Sequence, residues 1–410
     1  MVKSFLQSLL LGVLFLGGAL TYSIPLQASR QMEVADSVIP SLIHRVGIDM
    51  IPGYIYQTRP FLRGRNQENK SIRTTFATHL KYSFQFGPNT RLGRLYPHTA
   101  QGIGVSFDTF FRKRELGQPF TVYLFQTSRI CDLNPRLSFD YEWNFGVSTG
   151  WKYYLPVTNK ENDVIGSPLN AHLYLALLLN YRLSHHWNLL LGIGGSHFSN
   201  GNTFLPNWGL NTVGVHVGVV RTLNASQSKV AKADVFVPSI FQPHLSYDLM
   251  VYGSSRQKKI HKTDDYLAFI AHGYYAVTGL NFSPMYHFNR YFRGGASLDI
   301  QYDASANIKD YMLDDPEESD RVHFGRPPLS KQLGVGLSIR GELVMPILSL
   351  NVGVGKNIFG RGSDLKHLYQ VFGLKIRFNR ELFLNIGYQL YKFKEPNGLM
   401  LGLGYTFHAR

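Results

Sequence analysis

The stretch Leu189-Leu190-Leu191-Gly192-Ile193-Gly194-Gly195-Ser196-His197-Phe198-Ser199-Asn200-Gly201-Asn202 joins an apolar, glycine-rich run to a short polar motif. Alternate residues of a β-strand point to the same face. A strand here would place His197 and Ser199 on one face, above the alternating apolar side chains that precede them. A histidine beside a serine is a candidate general base and nucleophile. Because this pair ends an apolar stripe, the pattern favours a hydrolytic site that faces lipid.

The composition favours a membrane protein built from strands. The chain has 410 residues, of which 14% are aromatic and only 17% are charged, against about 25% charged in typical soluble domains. After the N-terminal apolar run, no segment has the roughly 18 consecutive apolar residues that a membrane helix needs. These features together predict a transmembrane β-barrel.

The N-terminus predicts export. A basic start at Met1-Val2-Lys3 precedes a nearly uninterrupted apolar run from 5 to 20, and small residues follow. We interpret residues 1–28 as a secretory signal peptide, with a membrane anchor as the alternative. The only cysteine, Cys131, is far from this segment, which argues against a lipoprotein signal and excludes an intrachain disulfide.

The net charge of +15 raises the question of an anionic partner. Nucleic acid is the usual partner of a basic chain. In an exported, aromatic-rich chain we instead expect anionic lipid, with lipopolysaccharide phosphates as the natural partner in an outer membrane. We therefore predict contact with outer-membrane lipids and none with nucleic acid; the oligomeric state is left open.

Strand-like alternation runs through the rest of the chain. Its clearest example is 136–146, where apolar and polar residues alternate without a break. We count about 16 such runs, an even number that suits a bacterial barrel with both ends in the periplasm. Odd-numbered strands would then run outward and be followed by long loops. Two inner links, 88–98 and 223–242, are longer than this rule allows.

An internal repeat divides the chain. The triplets His172-Leu173-Tyr174 and His367-Leu368-Tyr369 are 195 residues apart. At the same offset, identical residues recur downstream at 179 and 374, 182 and 377, 189 and 384, and 192 and 387. We read a duplicated eight-strand unit, with halves at 45–222 and 243–408 and a periplasmic link at 223–242. One antiparallel barrel of about 16 strands is favoured because it leaves no edge and needs one insertion event. Two tandem eight-stranded barrels are the alternative.

The same offset distinguishes the two halves chemically. His197 corresponds to Lys392, and Ser199 corresponds to Lys394. The second half therefore lacks a nucleophile and a base at these positions. We predict that 45–222 is the catalytic half and 243–408 a non-catalytic one.

The next strand supplies a third candidate for the site. Residues 209–219 again alternate, and Asn211 shares the face of the valines that follow it. A hairpin would bring it beside His197 and Ser199. No Asp or Glu lies between Val164 and Ala233, so a local third member that orients the histidine is Asn211 by default.

Two further groups of residues are candidates for binding the substrate. The side chain of Asn200 and the backbone N–H groups of Gly201 and Asn202 lie in a glycine-containing turn, which suits an oxyanion hole. Basic residues in the predicted outer loops are candidates to bind substrate phosphates: Arg59, Arg63, Arg65, Lys258 and Lys259.

The motif His197-Phe198-Ser199-Asn200, followed by Pro206-Asn207, Gly209 and a polar residue at 211, resembles the PagL-type lipid A 3-O-deacylases and the related acyloxyacyl hydrolase-like outer-membrane proteins. The resemblance implies an eight-stranded barrel with a lipid-facing Ser-His-Glu site. It places the histidine, the serine and the oxyanion-hole asparagine on His197, Ser199 and Asn200. The glutamate of the family falls on Asn211, which is a departure.

These observations predict an outer-membrane serine esterase that removes the 3-O-linked acyl chain of lipid A. Its active site would face the outer leaflet, and it would need no cofactor and no metal. A non-enzymatic porin or structural barrel is the alternative, and an esterase for other envelope lipids is a weaker one. A pore of about 16 strands could leave an aqueous lumen.

Overall fold

The computed structural model describes residues 41–224, 241–261, 268–271, 273–313, 322–393 and 395–408. The expected signal peptide and most of the link 223–242 lie outside these ranges. None of the helices formed by the described residues is long and apolar enough to cross a membrane.

The first half of the chain forms a closed antiparallel barrel of eight strands. Each strand pairs with the next, and the first closes the barrel against the eighth. The strands are β1 (Leu42–Ile55), β2 (Thr74–Phe86), β3 (Thr99–Thr109), β4 (Gly117–Asn134), β5 (Leu137–Trp151), β6 (Asn170–Arg182), β7 (Trp187–Ser199) and β8 (Leu210–Thr222).

The second half forms a second closed barrel, whose first wall strand pairs with both the second and the last wall strand. Its wall strands are β9 (His244–Arg256), β12 (Tyr275–His287), β13 (Phe292–Asp303), β14 (Leu333–Leu343), β15 (Leu348–Phe359), β16 (Leu368–Arg377), β17 (Leu382–Tyr391) and β18 (Glu395–His408). Between β9 and β12, a separate small sheet pairs β10 (Lys259–His261) with β11 (Ala268–Ile270). Short helices occupy the links at Arg91–Leu95, Lys113–Leu116 and Leu329–Gln332, and 3₁₀ turns those at Ile308–Tyr311 and Ser363–Leu365.

The two closures confirm an all-β barrel fold built from an eight-strand unit that occurs twice. The favoured single barrel of about 16 strands is wrong, and the tandem alternative is the one formed. The reason is that β1 closes against β8 and β9 against β18, so neither half keeps a free edge for the other.

The repeat is visible in equivalent positions of the two walls. Tyr174 lies on the sixth strand of the first barrel and Tyr369 on the sixth strand of the second, and both side chains are buried in the interior. The seventh strands differ at their ends. β7 continues to Ser199, whereas β17 ends at Tyr391, one residue before Lys392. Lys394 lies outside the described residues.

Side chains joined in ion pairs cross both lumens. In the second barrel, Arg293 binds Asp248 at 2.6 Å and Glu342 at 2.8 Å, and Lys375 binds both carboxylates at 2.7 Å. In the first barrel, Lys81 bridges two buried carboxylates, at 2.5 and 2.7 Å. An eight-stranded barrel has an interior that side chains alone can fill. These crossing ion pairs occupy the path that a pore would need.

The outer faces of the two barrels contact each other. Trp143, Leu374 and Ile376 lie on the outward face of their strands, yet they are buried because they pack together with neighbouring apolar side chains. At the ends of the barrels opposite Ser199, the hydroxyl of Tyr96 donates to the carbonyl of Arg290, and the hydroxyl of Tyr291 donates to the carbonyl of Leu95. The overlong inner link 88–98 therefore holds the barrels together.

We predict that Arg293→Ala lowers the free energy of unfolding by about 3–5 kcal/mol, because it leaves two buried carboxylates with one cation fewer. Urea titration of the folded protein in detergent measures the change. Arg380→Ala, which removes an exposed arginine in a short link, is the matched control and should change stability by less than about 0.5 kcal/mol. Equal stability of the two variants would contradict the assignment of Arg293 as the centre of the interior network.

Candidate active site

The site is built at the ends of two neighbouring strands. His197 and Asn211 are directly opposite each other in the ladder between β7 and β8. The residues that flank this pair, Phe198 and Leu210, point inward and are almost completely buried. Since side chains alternate along a strand, these two inward anchors fix His197, Ser199 and Asn211 on the outside of the wall.

An apolar cluster beneath the outer loops of the first barrel holds the anchors in place. The ring of Phe198 stacks on His172 with centroids 4.6 Å apart and meets Trp151 edge-on at 5.0 Å. Aromatic pairs in these arrangements stabilise beyond the area they bury. The cluster therefore resists rotation or slippage of the strand ends that carry the polar residues.

The imidazole of His197 is oriented by Asn211. Its Nδ1 lies 2.7 Å from Oδ1 of Asn211. An amide oxygen only accepts hydrogen bonds, so Nδ1 must carry the proton. The other ring nitrogen, Nε2, is then unprotonated and able to accept a proton, which is the state that a general base requires.

Ser199 follows on the same outward face, opposite Ala171 of β6, and its side chain is partly exposed. Its hydroxyl does not hydrogen-bond to His197 in the structure, although both residues are described. Contacts between nucleophile and base are often loose without substrate and tighten in the substrate complex. Placement and direction thus fit a nucleophile beside a base.

Gly209 fits closely against the base. A Cβ at this position would lie 2.7 Å from Cε1 of His197, and the backbone has a φ of 74°. Both the missing side chain and the left-handed conformation require glycine here. The backbone N–H of Gly209 donates to the carbonyl of Val164 at 3.0 Å, which fixes this wall of the site on the β5–β6 link.

Asn200 braces the loop that follows Ser199. Its side-chain nitrogen donates to the carbonyl of Phe204 at 2.9 Å, and its backbone N–H donates to Oδ1 of Asn207 at 3.2 Å. The next two residues, Gly201 and Asn202, both have positive φ angles. The structure thus places the three expected oxyanion-hole residues directly after the nucleophile, with one amide hydrogen of Asn200 already engaged.

The five candidate phosphate ligands separate into two groups. Lys258 binds Asp364 at 2.7 Å, Arg65 binds Glu161 at 3.3 Å, and Arg63 donates to the carbonyl of Gln57. Arg59 and Lys259 instead converge on one aromatic ring, that of Trp208. Of the two groups, only the second meets beside the loop 200–209 that follows Ser199, which we call the active-site loop.

Trp208, whose ring Arg59 and Lys259 approach, was not among the residues singled out from the sequence. The residue precedes Gly209 directly, and the signal for it was a large aromatic next to a glycine in a loop between two wall strands.

In the part of the chain that the structure describes, no three His, Cys, Asp or Glu side chains are grouped as a metal site.

Comparison with protein families gives two matches. Residues 133–220, which include His197, Ser199 and Asn211, match the family model of lipid A 3-O-deacylase (PagL). Residues 245–409 match the model of the acyloxyacyl hydrolase C-terminal domain. The first match contains the candidate site, and the second covers the second barrel. No curated protein matches significantly.

Solved structures similar to this chain include several outer-membrane barrels. An outer membrane channel from Pseudomonas putida F1 is 11% identical, over 92% of this chain and 100% of that chain, with a TM-score of 0.18. The siderophore receptor PirA from Pseudomonas aeruginosa is 9% identical over 90% and 80%, with a TM-score of 0.24. Outer membrane phospholipase A from Escherichia coli is 11% identical over 71% and 79%, with a TM-score of 0.16. At such low TM-scores we conclude nothing from these likenesses.

We predict that Asn211→Ala lowers the rate of ester cleavage roughly 5- to 30-fold, because the hydrogen bond that selects the histidine tautomer is worth about 1–2 kcal/mol. Asn211→Glu should exceed the wild-type rate, since a carboxylate also stabilises the imidazolium that forms. Steady-state rates on one ester substrate measure both changes. If Asn211→Ala cleaves at the wild-type rate, Asn211 does not orient the base.

Proposed function

Since the chain belongs to the outer-membrane family of PagL-type lipid A deacylases and acyloxyacyl hydrolases, we propose that it is a serine esterase that removes the 3-O-linked acyl chain of lipid A. The single observation that carries the proposal is the 2.7 Å hydrogen bond between His197 and Asn211 on the lipid-facing side of the wall, beside Ser199. It prepares a base next to a nucleophile where an acyl ester of a membrane lipid would lie.

The proposed reaction begins with attack by Ser199. Its Oγ bonds to the carbonyl carbon of the acyl ester while its proton moves to Nε2 of His197. The second amide hydrogen of Asn200 and the backbone N–H groups of Gly201 and Asn202 are proposed to stabilise the oxyanion. The carbon–oxygen bond to the sugar then breaks, and the sugar oxygen takes the proton from the imidazolium.

Water completes the proposed cycle. It attacks the acyl–Ser199 ester while His197 again accepts a proton, and collapse of the second intermediate releases the fatty acid and restores the serine. Asn211 is neutral, so it can orient the imidazole but cannot compensate its positive charge. The rate should therefore be lower than that of an otherwise equal site with a carboxylate at this position.

We propose an acyl groove on the outer face of the wall directly below His197, at Gly195. Gly195 is the next outward-facing residue under His197, and it is flanked by Leu175 on β6 and Val213 on β8. A Cβ at Gly195 would meet only the carbonyl oxygen of Thr212, at 3.2 Å, whereas one at the inward-facing Gly194 would clash with Tyr174 at 2.2 Å. Packing thus explains the inward glycine but not the outward one, and an apolar chain fits the open notch.

Loop lengths support an active site at the outer leaflet. The links at the site end of the barrels include the long ones 56–73, 152–169 and 304–332, and those at the opposite end include the short turns 183–186 and 344–347. Outer-membrane barrels have longer extracellular loops and shorter periplasmic turns. The ion pairs that cross both lumens give no support to the porin alternative.

Mass spectrometry of lipid A incubated with the protein in detergent tests the proposal. The wild type should release one 3-hydroxy fatty acid per lipid A, and the mass of the remaining lipid separates loss of the primary 3-O chain from loss of a secondary chain. Ser199→Ala and His197→Ala should fold and release none, while Ser196→Ala, a control on the inward face of the same strand, should act like the wild type. No release by the wild type, or full release by Ser199→Ala, would refute the serine-esterase proposal.

The groove gives a separate prediction. Gly195→Leu should keep the fold and lower turnover of lipid A by tenfold or more, because the new side chain takes the place of the acyl chain; a lost contact of about 1.4 kcal/mol is sufficient. Cleavage of a short acetate ester should fall much less. Leu189→Ile, about 20 Å lower on the same stripe, is the control. A parallel loss on both esters would show that Gly195 does not line the acyl groove.

A further inference from the structure

Two cations from different barrels approach the same indole ring. The guanidinium carbon of Arg59, in the β1–β2 link, lies 4.3 Å from the centroid of Trp208, and Nζ of Lys259, on β10, lies 5.5 Å from it. Cations are attracted to the face of an aromatic ring, but two positive charges that share one ring repel each other. The arrangement places two positive groups next to a single flat surface.

The charge at this point is only partly balanced. Arg59 binds Asp163 at 2.6 Å. For Lys259, no carboxylate of the described residues lies within ion-pair distance. Although Lys259 is exposed, partial desolvation lowers the pKa of its ammonium group, and the positive charge of Arg59 lowers it further, while Asp163 raises it. The first two effects penalise the charged form, and a bound anion would offset the repulsion between the two cations.

The ring itself lies next to the catalytic base. Trp208 precedes Gly209, the residue that packs against the imidazole of His197. Its backbone N–H donates to the carbonyl of Asp163 at 3.2 Å, so the ring and the ion pair of Arg59 are held by the same residue. A ligand that binds both cations would thus lie next to His197, the proposed base for cleavage of the ester.

The position of Lys259 is set by bonds between the barrels. The backbone N–H of Gln257 donates to the carbonyl of Asn202 at 3.2 Å, and the side-chain oxygen of Gln257 accepts from the N–H of Leu205 at 2.8 Å. The rings of Phe204 and Tyr274 meet edge-on at 5.5 Å. The segment of the second barrel that carries Lys259 is therefore hydrogen-bonded directly to the loop after Ser199.

We propose that Arg59 and Lys259 form a composite phosphate site across the two barrels, which binds a phosphomonoester of the glycolipid headgroup while its acyl ester lies at Ser199. Arg59 offers a planar set of donors to phosphate oxygens, and Lys259 adds a mobile point charge. The inference rests on the proposed function and deepens it. It gives the non-catalytic barrel a direct role in recognising the substrate.

Binding measured without turnover tests this site. In the Ser199→Ala background, binding of bisphosphorylated lipid A in detergent micelles is followed by isothermal titration calorimetry. Lys259→Ala should weaken it about tenfold, as expected for loss of one charge-assisted hydrogen bond, and Lys259→Arg should retain it. Lys366→Ala, which removes an exposed lysine from the β15–β16 link at the same end of the second barrel, should bind like the parent protein.

Further ligands identify the source of the phosphate. Dephosphorylated lipid A should bind equally to the parent and to Lys259→Ala, and inorganic phosphate should compete only weakly. The headgroup assignment is overturned if Lys259→Ala weakens both lipids equally, if it weakens neither, or if inorganic phosphate or phosphatidylglycerol binds as tightly as bisphosphorylated lipid A. Because no cleavage is measured, a protein that binds as described but releases no fatty acid would refute the esterase and leave the phosphate site standing.

Discussion

The inward packing of Phe198 and Leu210 is the constraint on which the site depends. Each residue is buried beneath the outer loops of the first barrel, and each lies next to a polar residue that must then point outward. A shift of either strand by one position would turn His197 and Asn211 into the lumen. Thus an apolar core interaction determines that this polar pair lies on the outer face of the barrel wall.

Much of the wall and the central pair could be predicted from the sequence because alternation is a local property. A strand with apolar and polar residues in strict turn shows its two faces wherever it is paired, and the hairpin alone brings His197 opposite Asn211. Closure is different, since the alternation is the same in one large barrel as in two small ones. Only the pairing of β1 with β8 decides between them, and this contact joins distant parts of the chain.

The approach of Arg59 to Lys259 was out of reach of the sequence for the same reason. The two residues are 200 positions apart, and they meet only because the barrels contact along their walls and through the loop at Asn202. The repeat predicted a second half that lacks a nucleophile. This prediction assigned no function to the second half. We propose that the second barrel, through its contacts with the loop at Asn202, supports and extends the candidate site of the first.

The most direct measurement of the central claim is covalent labelling with a lipophilic fluorophosphonate, which reacts with activated serines, followed by peptide mass spectrometry. We predict one modified residue, Ser199, with labelling lost in His197→Ala and slowed in Asn211→Ala. Ser196, which lies on the other face of the same strand, should stay unmodified. Labelling of a different serine, or equal labelling of Ser199 in the wild type and in His197→Ala, would contradict the claim that His197 and Asn211 activate this serine on the lipid side of the barrel.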